Sequence, residues 1–294
     1  MASNTSIEWC DSTWNPIRGC TRKSPGCVNC YAEVMAARFS DPGQWGHGFA
    51  AMKGGDHRWT GKVELVESQL LLPMTWRKPR RIFVNSTSDL FHEALSDETI
   101  DKVFAVMAFA GQHTYQILTK RPERMPQYFA RRDRARKTND AARSFGVALE
   151  FEDISLLLEI LPNVWLGASV EDNERARERI PLLRTTPAAV RFLSLEPLLE
   201  ELKPFEMTGI HQVIIGGESG PHARMFDTRW ATPIIEQCAR EGVACFVKQL
   251  GSNVTGPHAN GVNVTTLKLA DSKGGDMAEW PKELRVRQFP ISKG

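Results

Sequence analysis

The sequence predicts an α/β fold in which six to seven parallel strands form a full or partial barrel. Three observations predict it. Short apolar, β-branched segments recur along the chain. Helical patterns lie between them. Nearly every strand-like segment ends in polar side chains.

The strand segments are Arg81–Thr87, Tyr115–Lys120, Val164–Ser169, Val190–Glu196, Gln212–Glu218 and Ala244–Gln249. Each is a near-continuous apolar run, the pattern of strands covered on both faces. A further short strand is expected before Cys20, in TWNPI. Between the strands, Asp172–Leu183 reads as a helix with Ser169 or Glu171 near its start, and Trp230–Glu241 as one stopped by Gly242. Strands alternating with helices imply right-handed βαβ units and a parallel sheet. The polar ends decide between the two parallel architectures. Asn85, Ser86, Thr119, Lys120, Ser169, Ser194, Glu196, Glu218, Lys248 and Gln249 all close strands. An open doubly wound sheet concentrates such groups at one switch point, whereas a barrel gathers them around one mouth.

Residues 1–250 are therefore read as the barrel with an amino-terminal loop, and 251–294 as an extension closing on it through EWPKELRVRQFP. Phe39–Trp59 reads as a long loop over the mouth. Arg121–Arg143 is a basic stretch.

With 37 basic and 35 acidic side chains the net charge is +2, which favours no class of partner. No apolar run reaches the roughly 18–20 residues that cross a bilayer. The segment MASNTSIEWCDSTW lacks the features of a secretory signal. A cytoplasmic, membrane-free monomer is expected.

Four of the six cysteines fall in the first 30 residues. In a reducing compartment that crowding points to metal binding or catalysis. Cys238 and Cys245 stand in apolar surroundings and are expected to pack as small hydrophobes. The motif GCTRKSPGCVNCYAE spaces Cys20, Cys27 and Cys30 as C-x6-C-x2-C, with Pro25-Gly26 turning the loop back and a helix leaving from Tyr31. A structural zinc site is closed by four ligands. Three cysteines on an iron–sulfur cluster leave one iron open to a small molecule. The zinc alternative needs Cys10, His47 or His57 as the fourth ligand, and would make the chain a non-enzymatic nucleic-acid-binding protein.

Several ordered strings carry a resemblance: IEWCDSTWNPIRGCTRKSPGCVNCYAE, STSDLFHE, ILTKRPERM, WLGASVEDNERARERIPLL, TPAAVRFLSLEPLL, VIIGGESGPHAR, FVKQLG and ELRVRQFP. Across nearly its whole length the chain resembles phage-derived three-Cys-motif proteins of unknown function. That family is similar to radical S-adenosylmethionine enzymes and, distantly, to spore photoproduct lyase. The usual radical-enzyme motif is C-x3-C-x2-C; here the first interval is six. Cys10 stands where the family usually has threonine, which sets it apart from the ligands.

The resemblance implies a TIM-like barrel of the radical-enzyme type, a 4Fe-4S cluster on Cys20, Cys27 and Cys30, S-adenosylmethionine as cofactor and an external electron donor. It implies that Ser86, Ser88 and Asp89 receive the methionine amino group and that Lys120 pairs with the carboxylate. Ser169 and Glu171 would reach the ribose, and Gly216 and Gly217 would admit the adenine. Glu196 and Glu218 complete the expected cofactor set, with Lys248 and Arg224 as candidate catalytic side chains. Structural alternatives stand beside these roles. Asp89 could cap a helix in LFHEALSDE, Ser169 and Glu171 could cap the following helix, Glu196 could pair with Arg191 or Lys248, and His92 could simply pack. DNA or RNA is a candidate substrate, because Lys120–Arg143 carries nine basic against three acidic residues. Trp14, Trp45 and Trp59 could stack on bases.

Overall fold

A computed structural model describes residues 5–54, 56–146, 160–257 and 264–290. The chain divides into two compact units, one of Met1–Leu166 with Thr185–Ala189, the other of Gly167–Arg184 with Val190–Gly294.

The parallel strands are β1 (Ser12–Trp14), β2 (Arg81–Val84), β3 (Thr114–Thr119), β4 (Val164–Ser169), β5 (Val190–Leu195), β6 (Gln212–Gly216) and β7 (Ala244–Gln249). They form one seven-stranded sheet whose order follows the chain from β1 to β7. A doubly wound sheet reverses its order at a switch point; here there is no reversal. The order is that of a barrel wall, but it has two ends. The expected architecture is thus realised as a partial α/β barrel, not a closed one.

In the first unit β1 pairs with β2 and β2 with β3, both in parallel. Ile82, Val84, Tyr115 and Ile117 are fully buried. The helix after β2 is α2 (Asp97–Phe109), following α1 (Tyr31–Arg38) in the amino-terminal segment. It begins only at the end of LFHEALSDE. Ser96 caps it by accepting from the Thr99 amide at 3.2 Å, and Asp97 and Glu98 favour its positive end. LFHEALSDE up to that cap folds as turns. The stretch Phe39–Trp59 ends in a two-stranded hairpin, Ala50–Lys53 with Asp56–Trp59. Trp14 is core, its indole N–H donating to the Gln69 carbonyl at 2.8 Å. It is not available for stacking on a base.

The basic stretch folds as α3 (Arg124–Phe129) and α4 (Arg134–Ser144). Arg131 pairs with Asp97, Asp101 and Asp133, and Arg136 with Asp133 and Asp140. Arg134 is buried with its guanidinium over the Phe129 ring. Arg131 and Arg136 are thus paired with the unit's own carboxylates, and Arg134 lies over a ring.

In the second unit β5 pairs with β6 and β6 with β7. Helix α5 (Asn173–Thr185) is capped by Asp172, whose carboxylate accepts from the Arg175 amide at 2.8 Å. The Ser169 hydroxyl plays no part in that cap. Helix α6 (Thr228–Glu241) starts on Asp227 and stops at Gly242, whose φ of 70° is the left-handed stop that glycine favours. Cys238 and Cys245 are buried, as expected.

The closing ELRVRQFP segment lies along β7, with Val247 N–H on Val286 O at 2.8 Å and Gln288 N–H on Cys245 O at 2.8 Å. It covers an edge strand whose backbone groups would otherwise be open to pairing. Parts of the 251–294 extension, 258–263 and 291–294, lie outside the described residues. Among the described residues no helix is long and apolar enough to cross a membrane.

Candidate functional site

The cysteine loop belongs to the first unit. Gly19 precedes it with φ of 83°, and a Cβ there would lie 1.9 Å from the Lys62 carbonyl oxygen. Only glycine fits that entry. Gly19 also bridges to Ser88 beyond the end of β2. Pro25–Cys27 form a single 3-10 turn, and Cys30 stands at the start of α1. None of the six cysteines is in a disulfide.

The donors around the thiols are specific. The Lys23 amide lies 3.5 Å from Cys27 Sγ, and Arg121 Nη1 lies 3.8 Å from Cys20 Sγ. Burial pushes the Cys20 thiol up to about 12; Asp89 adds to that, while Arg121 opposes it. Burial also raises Cys30, against the amides of Glu33 and Ala32 at the start of α1 and the charge of Lys120. Desolvation disfavours a bare thiolate, and cations offset it. Both strand-end cations after β3 therefore act on this loop. Cys10 turns away, its thiol donating to the Ile7 carbonyl at 3.7 Å.

Arg121 and Asp89 tie the loop to the strand ends. Asp89 accepts from Thr119 Oγ1 at 2.7 Å, the Lys120 amide at 3.0 Å and the Phe91 amide at 3.0 Å. It is buried, and its Oδ2 also faces Arg121 at 3.4 Å. Its capping alternative is realised on a turn, not a helix. Ser86 donates to Asn15 Oδ1 at 3.1 Å and Ser88 to the Ile17 carbonyl at 2.9 Å, so both hydroxyl protons hold the segment before Cys20. Their oxygen lone pairs remain acceptors. His92 packs, with Nε2 2.9 Å from Thr21 Oγ1 and Nδ1 accepting from the Ala94 amide at 3.1 Å. Burial and the nearby Arg121 hold it below the usual imidazole range.

Two groups at this loop escaped the sequence reading. Glu33, buried on α1, takes Arg22 at 2.5 Å and the Trp59 amide at 2.7 Å, fixing the loop and hairpin to the helix. Arg121 had been counted within the basic run. The signal for it was its place directly after a polar strand end, in LTKR.

The remaining expected residues belong to the second unit, and there the carboxylates are paired. Glu171 is completely buried against Arg179 at 3.1 Å. Lys248 and Glu196 form an ion pair at 2.6 Å, the structural alternative for Glu196. Glu218 takes the Arg224 amide at 2.9 Å, Nε at 3.0 Å and Nη2 at 2.6 Å. Gly216 makes room for the Glu196 side chain, whose Cγ would lie 3.2 Å from an added Cβ. At Gly217 a Cβ would lie 2.0 Å from the Leu250 carbonyl oxygen, so this glycine serves close backbone packing and not an adenine. Ser169 differs: its hydroxyl is buried and has no hydrogen-bond partner. It is the strand-end group there that a ligand's polar atom would satisfy.

Among the described residues no three His, Cys, Asp or Glu side chains are grouped to hold a metal ion. A single tetrahedral zinc needs its sulfur ligands within about 3.8 Å of one another, given bonds near 2.3 Å. On a 4Fe-4S cluster each cysteine binds a different iron, so the sulfurs stand farther apart. Three thiols on one loop, with N–H donors on two of the sulfurs, are a donor set of the chemistry that a cluster takes.

Residues 4–278 match the family described as "protein of unknown function (DUF5131)", and the chain belongs to that family. No curated protein matches it, and neither does any solved structure.

Proposed function

We propose that the first unit binds a 4Fe-4S cluster through Cys20, Cys27 and Cys30, and that the chain is a radical S-adenosylmethionine enzyme. The observation that carries this reading is the thiol triad itself. Three free cysteines share one loop, with the Arg121 guanidinium on Cys20 and the Lys23 amide on Cys27. Cys10 is engaged elsewhere, so three protein ligands leave one iron for the cofactor.

A cluster bound there would supply the electron, itself drawn from an external donor, that cleaves S-adenosylmethionine into methionine and a 5′-deoxyadenosyl radical. The chain's own residues bind and orient. Lys120 offers a cation near Cys30 for the methionine carboxylate. Ser86 and Ser88 offer acceptor oxygens for the ammonium, since their protons are already committed. Asp89 supports Lys120 and Arg121 from beneath and does not receive substrate.

The test is anaerobic purification and reconstitution with iron and sulfide. The protein should be brown, hold about four irons with matching sulfide, and release 5′-deoxyadenosine when reduced in the presence of S-adenosylmethionine. A colourless protein carrying one zinc would overturn the reading in favour of a structural site.

A further inference from the structure

We infer that Arg121 is a positioning residue for the cluster, clamping the cysteine loop to the end of β3 and setting the reduction potential through the sulfur of Cys20. The inference rests on the cluster reading above and goes beyond it by assigning a tuning group. Its basis is the complete accounting of one side chain. A guanidinium has five N–H donors, and each one here has an acceptor. Nε donates to Glu93 Oε2 at 2.6 Å. Nη1 serves Asp89 Oδ2 at 3.4 Å and Cys20 Sγ at 3.8 Å. Nη2 serves the Thr21 carbonyl at 3.0 Å and Thr21 Oγ1 at 2.7 Å.

Two features make this more than an ordinary buried arginine. First, three of the five bonds fall on Cys20 and Thr21, so the side chain holds the first ligand and its neighbour from across the fold. Thr21 is held in turn by His92 at 2.9 Å. Second, Arg121 is only 3% exposed, so its charge acts with little solvent screening. Beneath it lies buried Asp89, with Oδ2 3.4 Å from Nη1.

Reduction adds one electron to a cluster. A cationic donor on a ligand sulfur stabilises the more negative form and raises the potential. Lysine can return the charge but not the planar fork. The geometry therefore separates two contributions. The charge sets the potential, while the fork sets loop position.

The experiment compares Arg121→Gln and Arg121→Lys with the parent protein, each reconstituted anaerobically and titrated by spectroelectrochemistry. Arg121→Gln should lower the potential by about 59 mV, a tenfold shift for a one-electron couple, and Arg121→Lys should recover most of it. Glu93→Gln removes the Nε partner without touching the sulfur donor, and its potential should match the parent. Unchanged potentials in both arginine variants would overturn the inference. Equal loss of iron from both would leave the clamp alone and overturn the tuning role. A parent protein that binds no iron at all would instead overturn the cluster reading, a result distinct from either.

Discussion

The cysteine loop of the first unit and the strand ends of the second are both rich in polar groups, yet they are organised in opposite ways. In the second unit each prominent carboxylate has its own cation: Glu171 with Arg179, Glu196 with Lys248, Glu218 with Arg224. Those charges are neutralised within the chain. At the cysteine loop the chain adds thiols to its paired carboxylates, Cys27 buried and Cys20 and Cys30 half-buried, and Arg121 has sulfur and carboxylate neighbours at once. A region that neutralises itself is built for stability or for a ligand that displaces a partner. A region of desolvated thiols needs something positive added to it before its ligands can ionise.

The largest effects should fall on the cysteine loop. Replacing Cys20, Cys27 or Cys30 with Ala should each abolish iron binding, measured as iron per chain after anaerobic reconstitution. Cys10→Ala, Cys238→Ala and Cys245→Ala should retain it, since Cys10 bonds to Ile7 and the other two are core. Iron loss in Cys10→Ala would make the site a four-cysteine one and remove the open iron.

The second unit should respond in stability and not in iron content. Glu171→Gln leaves Arg179 buried without its counter-charge and should cost about 3–5 kcal/mol in urea unfolding. Removing both charges, in Glu171→Leu with Arg179→Met, should recover much of that loss, because desolvation of the pair is removed too. An exposed pair gives the contrast. Lys23 and Glu123 are both well exposed at 2.6 Å, and Glu123→Gln should cost no more than about 1 kcal/mol. A Glu171→Gln protein as stable as the parent would mean the strand-end pairs contribute little, and the contrast between the two regions would weaken.

Close backbone packing supplies a smaller effect. Gly217→Ala must move the Leu250 carbonyl, the atom 2.0 Å from the new Cβ, and should cost about 1–3 kcal/mol. Parent-like stability would return Gly217 to the role of an open approach for a ligand.

These two regions also differ in how legible they were. Strands such as Val164–Ser169 and Ala244–Gln249 lie where apolar runs placed them, and Gly242 stops its helix as a left-handed cap. Local patterns report local structure. The cysteine spacing gave the three thiols and the Pro25 turn for the same reason. Of the ion pairs, Glu196 with Lys248 was anticipated, but the others were not legible. Nothing local tells Glu171 to choose Arg179, or Arg121 to leave the basic run and reach Cys20 from 101 residues away. Leu90–Leu95 stays out of the helix because Asp89 is held by the neighbouring strand end and His92 by Thr21. Ser96, not Asp89, is the cap. Tertiary demand overrode propensity in a segment rich in turn-forming side chains.

The smallest effect isolates one charge in the second unit, at the start of α6. Asp227 caps that helix by accepting from the Arg229 amide at 2.9 Å, and its carboxylate also takes the Arg229 guanidinium. Burial works upward on its acidity, but the Arg229 side chain and amide outweigh it and hold the carboxyl below its ordinary value. A carboxylate held low contributes stability above its ordinary value, near pH 4, and loses it as the pH falls through the folded-state value. Asp227→Ala removes the cap altogether and should cost about 0.5–2 kcal/mol at neutral pH. Asn caps as well as Asp, so Asp227→Asn should be only slightly less stable at pH 7. That difference should shrink on acidification below pH 4 and vanish once both side chains are neutral. Thermal unfolding of the three proteins from pH 7 to pH 3 measures it directly. A parent-minus-Asn difference that stays constant across that range would mean the carboxylate's charge does nothing at this helix end, and the cap acts by its oxygen alone.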